Sequence, residues 1–412
     1  MSKRVEPEVE TFARIRVVGV GGSGNNAVNH MINSKVRGVE FVAVNSDAQD
    51  LHRSLSKRKI HIGKNLTRGL GTGMNPDLGK RAAEETRQQI QESLQGSDMV
   101  FITCGMGGGT GTGASAVIAK IAKEVGALVI AIVTKPFSFE GAQRKDIADR
   151  GLSELKKEVD AFIVIPNDKL LTVVEKTLSL KEAFALCDEV LREAVEGVSD
   201  IIRTPGDINT DFNDIKAVME GAGPTLMGIG VAEGDERAKE AAQRAVNSPL
   251  LDISISGAKG VLWVVAHSDD LGIMEVHEAS KIVSESVDKN AKIIWGVMKD
   301  NKLKKGQVRI IVIATGFPES ASHSSHSGAE RSLFSMAVPA DKREEERGRI
   351  YHDVLKRDEK QEIKSEKAEP EVKDKEEPIV TATPHKRENT PPAPEDDEAW
   401  GAIPAFLRRH KK

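Results

Sequence analysis

The sequence predicts an α/β fold: a mainly parallel sheet covered by helices on both faces, a long central helix, a smaller α+β segment and a polar tail. Three observations carry that prediction. Between residues 14 and 165, apolar runs of strand length alternate with amphipathic runs of helix length, the βαβα order that implies parallel pairing. Polar and glycine-rich stretches keep falling after the strand runs, at their carboxyl ends, where open α/β sheets bind ligands. One long helical pattern, Leu180 to Ile202, then separates this alternation from a second mixture of strands and helices.

Taken in order, residues 1–11 are charged and expected to be disordered. Arg14 to Val20 reads as a first strand running into Gly21-Gly22-Ser23-Gly24-Asn25-Asn26, with a helix following through Ala27, Val28 and Met31. Gly19-x-Gly21-x-x-Gly24 satisfies the dinucleotide fingerprint, and Glu40 stands near the spacing of its ribose-binding acid. A nicotinamide or flavin enzyme is therefore one reading. Against it, the chain supplies further glycine turns that a dinucleotide-binding half does not need. Strand Glu40 to Val44 ends in Asn45-Ser46-Asp47-Ala48-Gln49, and a short strand at Ile60 to Ile62 leads to Gly69-Leu70-Gly71-Thr72-Gly73-Met74-Asn75-Pro76. One helix is expected over Leu78 to Leu94.

The densest glycine turn follows the strand Met99 to Thr103. Gly105-Met106-Gly107-Gly108-Gly109-Thr110-Gly111-Thr112-Gly113 runs straight into a small-residue helix over Ala114 to Ala122. So little side-chain bulk allows positive φ and close approach to the amides. A strand, a glycine turn and a helix in that order form an anion cradle, because amide N–H groups and the positive helix end converge. A flexible linker would not sit between two apolar elements. No G-x-x-x-x-G-K-[ST] occurs, so this is not a P-loop, and no lysine stands within the turn. Phosphate charge would be met by amides, helix ends and Mg²⁺. Strand Ala127 to Thr134, helix Gly141 to Val159 and strand Phe162 to Ile165 complete the alternation.

The helix Leu180 to Ile202 keeps a 3.6-residue apolar period and stops at Thr204-Pro205-Gly206. Phe184 and Asp188 share one face near its start. Phe184 fits ordinary core as well as a site, whereas Asp188 in an apolar helix calls for a partner. The second segment reads as helix Asp211 to Met219, strand Thr225 to Val231, helix Asp235 to Val246 and strand Gly260 to Ala266. Helix Met274 to Val287 and strands Lys292 to Met298 and Gln307 to Ala314 follow. Asp211 and Asp214, just before Ile215, Val218 and Met219, read from the sequence alone as a helix cap and a dipole partner.

Composition narrows the function classes. At 412 residues, two folded units plus a tail are expected. A net charge of −4 and 4% aromatics give neither the field nor the stacking surface of a nucleic-acid binder. Cys104 and Cys187 lie far apart in apolar segments, as reduced structural thiols of a cytosolic protein do. No signal-like or membrane-spanning run is present, and the histidines show no zinc-ligand spacing. Beyond Phe317-Pro318 the chain is rich in Ser, Lys, Glu and Pro and is expected to be a disordered tether. It ends in Ile403-Pro404-Ala405-Phe406-Leu407-Arg408-Arg409, an apolar and basic peptide suited to docking.

These residues together resemble the FtsZ family of bacterial cell-division GTPases, in the tubulin superfamily. Gly107 to Gly113 is similar to the tubulin signature loop. The likeness continues through Val44 to Gln49, Gly69 to Pro76, Pro136 to Arg144, Ile165 to Leu170 and Asn209 to Asp214, and returns at the terminal peptide. The resemblance implies a tubulin-like fold with these boundaries: GTP-binding domain 12–179, central helix and connector 180–206, C-terminal α+β domain 207–318, linker 319–398 and docking peptide 399–412. It implies GTP/GDP binding, with Mg²⁺ held mainly through the phosphates and no metal site built of side chains. By position, Gly22, Ser23, Gly24, Asn25 and Asn26 would wrap the nucleotide, and Gly109, Thr110 and Gly111 would hold its phosphates. Glu140 and Arg144 would contact the ribose and phosphate region, while Asn26, Phe184 and Asp188 would read guanine, with Asn167 nearby. The resemblance recasts Asp211 and Asp214 as catalytic acids inserted into the next subunit's site, so that head-to-tail filaments switch hydrolysis on. A nucleotide-regulated scaffold with little hydrolysis is the alternative, and the intact acid pair argues against it. Partners would be other copies of the chain and, through Ile403, Pro404, Phe406, Leu407 and Arg408, membrane-tethering and regulatory division proteins at a cytoplasmic midcell ring. No nucleic acid and no direct membrane insertion are implied. Ser23 and Asn25 stand where the family commonly has glycine, Ala116 where it often has proline, and Gly401-Ala402 where acids are frequent.

Overall fold

The computed structural model describes residues 13–171, 179–203, 211–248, 255–268, 271–300 and 303–317. The terminal docking peptide, the tether and the helix stop at Thr204 lie outside them. The chain opens with β1 (Ile15–Val20), buried along its whole length, and α1 (Gly21–Asn33). β2 (Val39–Asn45) leads to α2 (Ala48–Arg53), whose start is capped by the Asp47 carboxylate accepting from the Gln49 and Asp50 amides. β3 (Arg58–His61) and the short α3 (Lys64–Thr67) precede α4 (Pro76–Glu85), capped by Asn75 with proline in its first turn, and α5 (Arg87–Leu94). Next come β4 (Met99–Gly105), α6 (Gly109–Glu124), β5 (Leu128–Lys135), α7 (Ala142–Glu158), β6 (Ala161–Pro166) and α8 (Asn167–Leu171). The long α9 (Leu180–Arg203) starts at a capping box: the Glu182 carboxylate accepts from the Ser179 amide, and Ser179 Oγ accepts in return from the Glu182 amide.

After α9 come α10 (Phe212–Met219), β7 (Gly223–Glu233), α11 (Arg237–Val246), β8 (Gly260–His267), α12 (Ile273–Glu285), β9 (Lys292–Lys299) and β10 (Gln307–Thr315). All ten strands join one sheet in the order β3-β2-β1-β4-β5-β6-β7-β10-β8-β9. β1 to β6 run parallel to one another and β7 is parallel to β6; β10 is antiparallel to β7 and β8, and β9 is parallel to β8. β6 and β7 share only the pairs Ala161–Gly223 and Phe162–Pro224, so the two halves are joined by a short seam.

Two expectations need correction. The expected helix over Leu78 to Leu94 is two helices, because Thr86 leaves helical geometry and its hydroxyl oxygen accepts from the Gly63 amide. The glycines after β1 are not a loop preceding a helix. Gly21 makes the turn alone at φ +72, and Gly22 to Asn26 already belong to α1.

One core lies between the sheet and α1, α9 and α10, running from Ile15 and Val17 through Val190, Leu191, Ala194 and Val198 to Leu262, Ile311 and Ile313. A second fills the opposite face of the parallel half beneath α4 to α7, and a third lies under α11 and α12. The long helix is thus amphipathic because it packs against strands from both ends of the sheet.

Candidate functional site

In a sheet ordered 3-2-1-4-5-6 the connections reverse direction between β1 and β4, and the crevice there is the natural ligand position. Both glycine turns open into it. α1 begins after β1 and α6 after β4, and neither start has a side-chain cap. Two sets of unspent amide donors and two positive helix ends therefore converge. Their approach is backbone to backbone. A β-carbon on Gly21 would lie 2.9 Å from the Gly111 nitrogen, and one on Gly24 would lie 2.4 Å from the Thr103 carbonyl oxygen. Gly108, in contrast, would present a β-carbon to open space, so its lack of a side chain serves something other than packing.

Gly22, Ser23 and Asn26 are exposed on α1, while Gly24 and Asn25 are buried. Asn25 is only 1% exposed and, although it lies within reach of the Asp50 carboxylate, neither polar atom of its amide makes a hydrogen bond of ordinary geometry among the described residues. Asn167, at the carboxyl end of β6, is likewise buried with an unpartnered Oδ1. Gly109, Thr110 and Gly111 form the first turn of α6. Orphaned buried amides cost stability unless a ligand or water satisfies them, and open space beside uncapped helix starts fits an anionic nucleotide.

Across the crevice, Arg144 donates to Glu140 Oε2 at 2.8 Å, and Glu140 Oε1 accepts from the Phe137 amide at 3.0 Å. Phe137 stacks on Phe139, centroids 4.9 Å apart, and meets Phe184 edge-on at 5.4 Å. Phe139 and Phe184 stay 60% and 42% exposed, leaving an aromatic surface free for a planar ring. Asp188 lies one turn beyond Phe184. No hydrogen bond or ion pair within the described residues satisfies it, and burial pushes its carboxyl up to about 7, with nearby His30 pulling the other way. His30 itself is hydrogen-bonded to Glu189 at 2.7 Å.

Asp211 and Asp214 are placed differently. The Asp214 amide donates to Asp211 Oδ1 at 2.8 Å, and the Asp211 amide donates to Asp214 Oδ2 at 3.3 Å, a reciprocal cap on α10. α10 packs on β8, and neither acid is hydrogen-bonded to any crevice residue. Among the described residues no hydrogen bond or ion pair joins them to the cradle.

Glu40 resolves the dinucleotide reading. It pairs with Arg16 Nε at 3.0 Å near the amino ends of β1 and β2, on the opposite edge from the glycine turns, and that guanidinium holds its carboxyl below the usual range. It is a structural ion pair, not a ribose ligand. Residues that motif reading passed over also border the crevice. Asp50, raised by burial, accepts from Asn45 Nδ2 at 2.6 Å and lies against Gly22. Ser46 and Thr72 both hydrogen-bond Thr110. These partners become visible only once the three polar loops are brought to one edge of the sheet. Among the described residues no cluster of three or more His, Cys, Asp or Glu side chains is placed to hold a metal ion.

Residues 14–175 match the Tubulin/FtsZ family, GTPase domain, and residues 223–318 match the FtsZ family, C-terminal domain. Among solved structures the chain is similar to the empty FtsZ dimer of M. jannaschii, at 48% identity over 75% of this chain and 89% of that one, TM-score 0.71. A tryptophan-to-tyrosine mutant of the same FtsZ matches at 47% identity, covering 75% and 92%, TM-score 0.71. CetZ2 from Haloferax volcanii, solved as a GTPγS-bound protofilament, shares the fold at 23% identity, covering 74% and 94%, TM-score 0.64. These relatives are archaeal, so the expected bacterial attribution finds no support among them. The uncapped helix ends at the switch point and the matches on both halves of the chain lead to one conclusion: the chain belongs to the FtsZ family and is a GTPase of the tubulin/FtsZ type.

Proposed function

We propose that the chain assembles head to tail into filaments, hydrolyses GTP between subunits and builds a cell-division ring. The observation that carries this reading is the split between the two parts of the site. The cradle of Gly22 to Asn26 and Gly109 to Gly111 has donors for phosphates, and the acids that border it are engaged, Asp50 with Asn45 and Glu140 with Arg144, while Asp211, exposed, and Asp214, half-buried, cap α10. One chain therefore holds half of a site, and a second copy would complete it. In this reading Asp188 accepts from the guanine N1–H and N2–H₂ edge, Phe184 packs on the base, and Asn26 and Asn167 border it. Glu140 and Arg144 face the ribose and phosphates. Asp211 and Asp214 of the next subunit orient the attacking water. Mg²⁺, held by phosphate oxygens and water, would neutralise charge on the phosphates. The M. jannaschii relative was solved as a dimer, which supports self-association. The folded part would divide at 12–179, 180–206 and 207–318. The terminal peptide at Ile403, Pro404, Phe406, Leu407 and Arg408 would dock division proteins and hold the filament at midcell.

The test is sedimentation with GTP and Mg²⁺ alongside phosphate release at several protein concentrations. A completed-in-trans site predicts a pellet with GTP, little with GDP, and specific activity that rises with protein concentration. Constant specific activity from dilute to concentrated protein would refute catalysis between subunits. Filaments with no phosphate release would favour a nucleotide-regulated scaffold.

A further inference from the structure

One end of the sheet is lined with positive charge that no acid answers. β3 closes the strand order on that side and, among the described residues, pairs with β2 alone, from Val42–Arg58 to Asn45–His61. Between Asp50 and Asp77 the chain has no acidic residue and six cations, Arg53, Lys57, Arg58, Lys59, Lys64 and Arg68, all exposed. Arg58 reaches Glu40 at 3.8 Å, but Arg16 already holds that carboxylate at 3.0 Å. Lys59 Nζ donates to the His52 carbonyl, which leaves its charge unneutralised. Among the described residues no ion pair engages Arg53, Lys57, Lys64 or Arg68. Leu55 stands among these cations, 51% exposed.

A short edge strand needs only a lysine or so to guard it against wrong pairing, and β3 is four residues long. Six cations around an apolar residue, on a chain of net charge −4, exceed that need and describe a surface for an acidic, extended partner. The chain carries such a partner. Glu395-Asp396-Asp397-Glu398 is its only run of four consecutive acids, and Ala399 and Trp400 follow at once. The tether is long enough to bring it there. β10 ends at Thr315, and β3 lies seven strands across the sheet, on the order of 34 Å at a strand spacing of about 4.8 Å. Residues 318–394, taken as a random coil, span roughly 50 Å.

We propose that the acidic run Glu395 to Glu398 of the same chain docks on the basic β3 edge, as an extended segment beside Arg58 to His61 with Trp400 against Leu55. The four carboxylates then lie among cations that have no acid of their own, the open side of β3 gains a main-chain partner, and Leu55 leaves water. Each charge pair is weak alone because both groups are exposed, so docking is reversible and sensitive to salt. The docked run draws Ile403 to Leu407, the apolar part of the terminal peptide, to the same edge. The peptide is thereby kept at one place on the folded unit and is less accessible while the acids are docked. The contact needs neither nucleotide nor a neighbouring subunit, and it stands whether or not the terminal peptide docks other proteins.

Carbodiimide crosslinking of the full chain without nucleotide, read by mass spectrometry on an equal mixture of unlabelled and heavy-isotope-labelled protein, tests this. New amide bonds should join Lys57, Lys59 or Lys64 to Glu395–Glu398 within one isotopic form. Raising the salt from about 0.05 to about 0.5 M, which shortens the screening length roughly three-fold, should remove them. Lys57→Glu with Lys59→Glu should cut the remaining crosslinks at Lys64 roughly five-fold, the loss of two exposed ion pairs. Asp396→Lys with Asp397→Lys should do the same. The four substitutions combined in one chain should restore the contact, with amine and carboxylate exchanged between positions 57 and 59 and positions 396 and 397, which a misfolded variant could not do. Crosslinks spread evenly over the other exposed lysines, crosslinks indifferent to charge reversal, or no restoration in the combined variant overturns the proposal. Crosslinks found only between the two isotopic forms would give the edge to the tail of a second copy. Sedimentation with phosphatidylserine vesicles that needs Lys57 and Lys59, with no crosslink to the acids, would give it to a lipid surface. Either result also overturns the proposal.

Discussion

Lowering the pH should loosen guanine nucleotides from this protein through one carboxyl group. Among the described residues no hydrogen bond or ion pair satisfies Asp188, and its carboxyl is pushed up to about 7, chiefly by burial. The guanine edge offers two donors and no acceptor at that position, so only the ionised carboxylate can receive it. The ionised fraction of a group titrating at about 7 falls roughly ten-fold between pH 8 and pH 6, and the apparent Kd for GDP rises by the same factor. Isothermal titration with GDP across this range, where no turnover occurs, measures the slope directly. Phosphate protonation adds its own slope, which Asp188→Asn retains, so the difference between the two proteins isolates Asp188. The same shift has a stability consequence with a fixed sign. A carboxyl whose folded value is raised from 3.8 to about 7 destabilises the free fold progressively as pH climbs between those values, by on the order of 4 kcal/mol once above pH 7. Asp188→Asn should therefore melt higher than wild type without nucleotide at pH 8 and equally at pH about 4. Identical pH slopes for GDP binding in the two proteins would refute the reasoning, as would a melting difference that persists at low pH.

Gly108→Ala should leave the melting temperature unchanged, because its β-carbon meets no protein atom, while weakening GDP binding by ten-fold or more, estimated on the order of 1–3 kcal/mol for overpacking against a ligand. Gly113→Ala should lower the melting temperature sharply, since its β-carbon would sit 1.9 Å from the Pro76 carbonyl and force α4 off α6. Asp211→Ala with Asp214→Ala should abolish phosphate release while leaving the Kd for GDP within about two-fold, as expected for groups outside the chain's own cradle. Asp211→Asn, which caps a helix as well as aspartate does, should hold the melting temperature near wild type and still lose turnover.

Legibility followed the physics of each signal. Strands and helices were readable because burial imposes their periods, and β4 and β5 are apolar along almost their whole length since both faces of a parallel strand are covered. The glycine turns pointed to the cradle because few other roles call for so many missing side chains. Helix starts were less legible: a glycine run looks like loop, yet Gly21 turns in one residue and the rest is α1. The break at Thr86 was invisible because it depends on a contact with Gly63, twenty-three residues away. Long-range polar partners, such as Ser46 and Thr72 on Thr110 or Asp50 on Asn45, carry no period and no local signature. Glu40 taught the reverse lesson, since its spacing matched a motif whose geometry the sheet places on the wrong edge.

Capping and catalysis by the same two acids are compatible, and the box suggests why they would be useful together. Each carboxylate spends one oxygen on the other's amide: Asp211 uses Oδ1 and Asp214 uses Oδ2. Among the described residues no donor reaches the second oxygen of either acid. The capping bonds cost each side chain its rotamer freedom when the chain folds, before any neighbour arrives, so less ordering remains to be met when two subunits meet. A cap that merely stabilised α10 would tolerate asparagine at both positions. A cap that also presents two fixed anionic oxygens would not, and turnover in the asparagine variants separates the two.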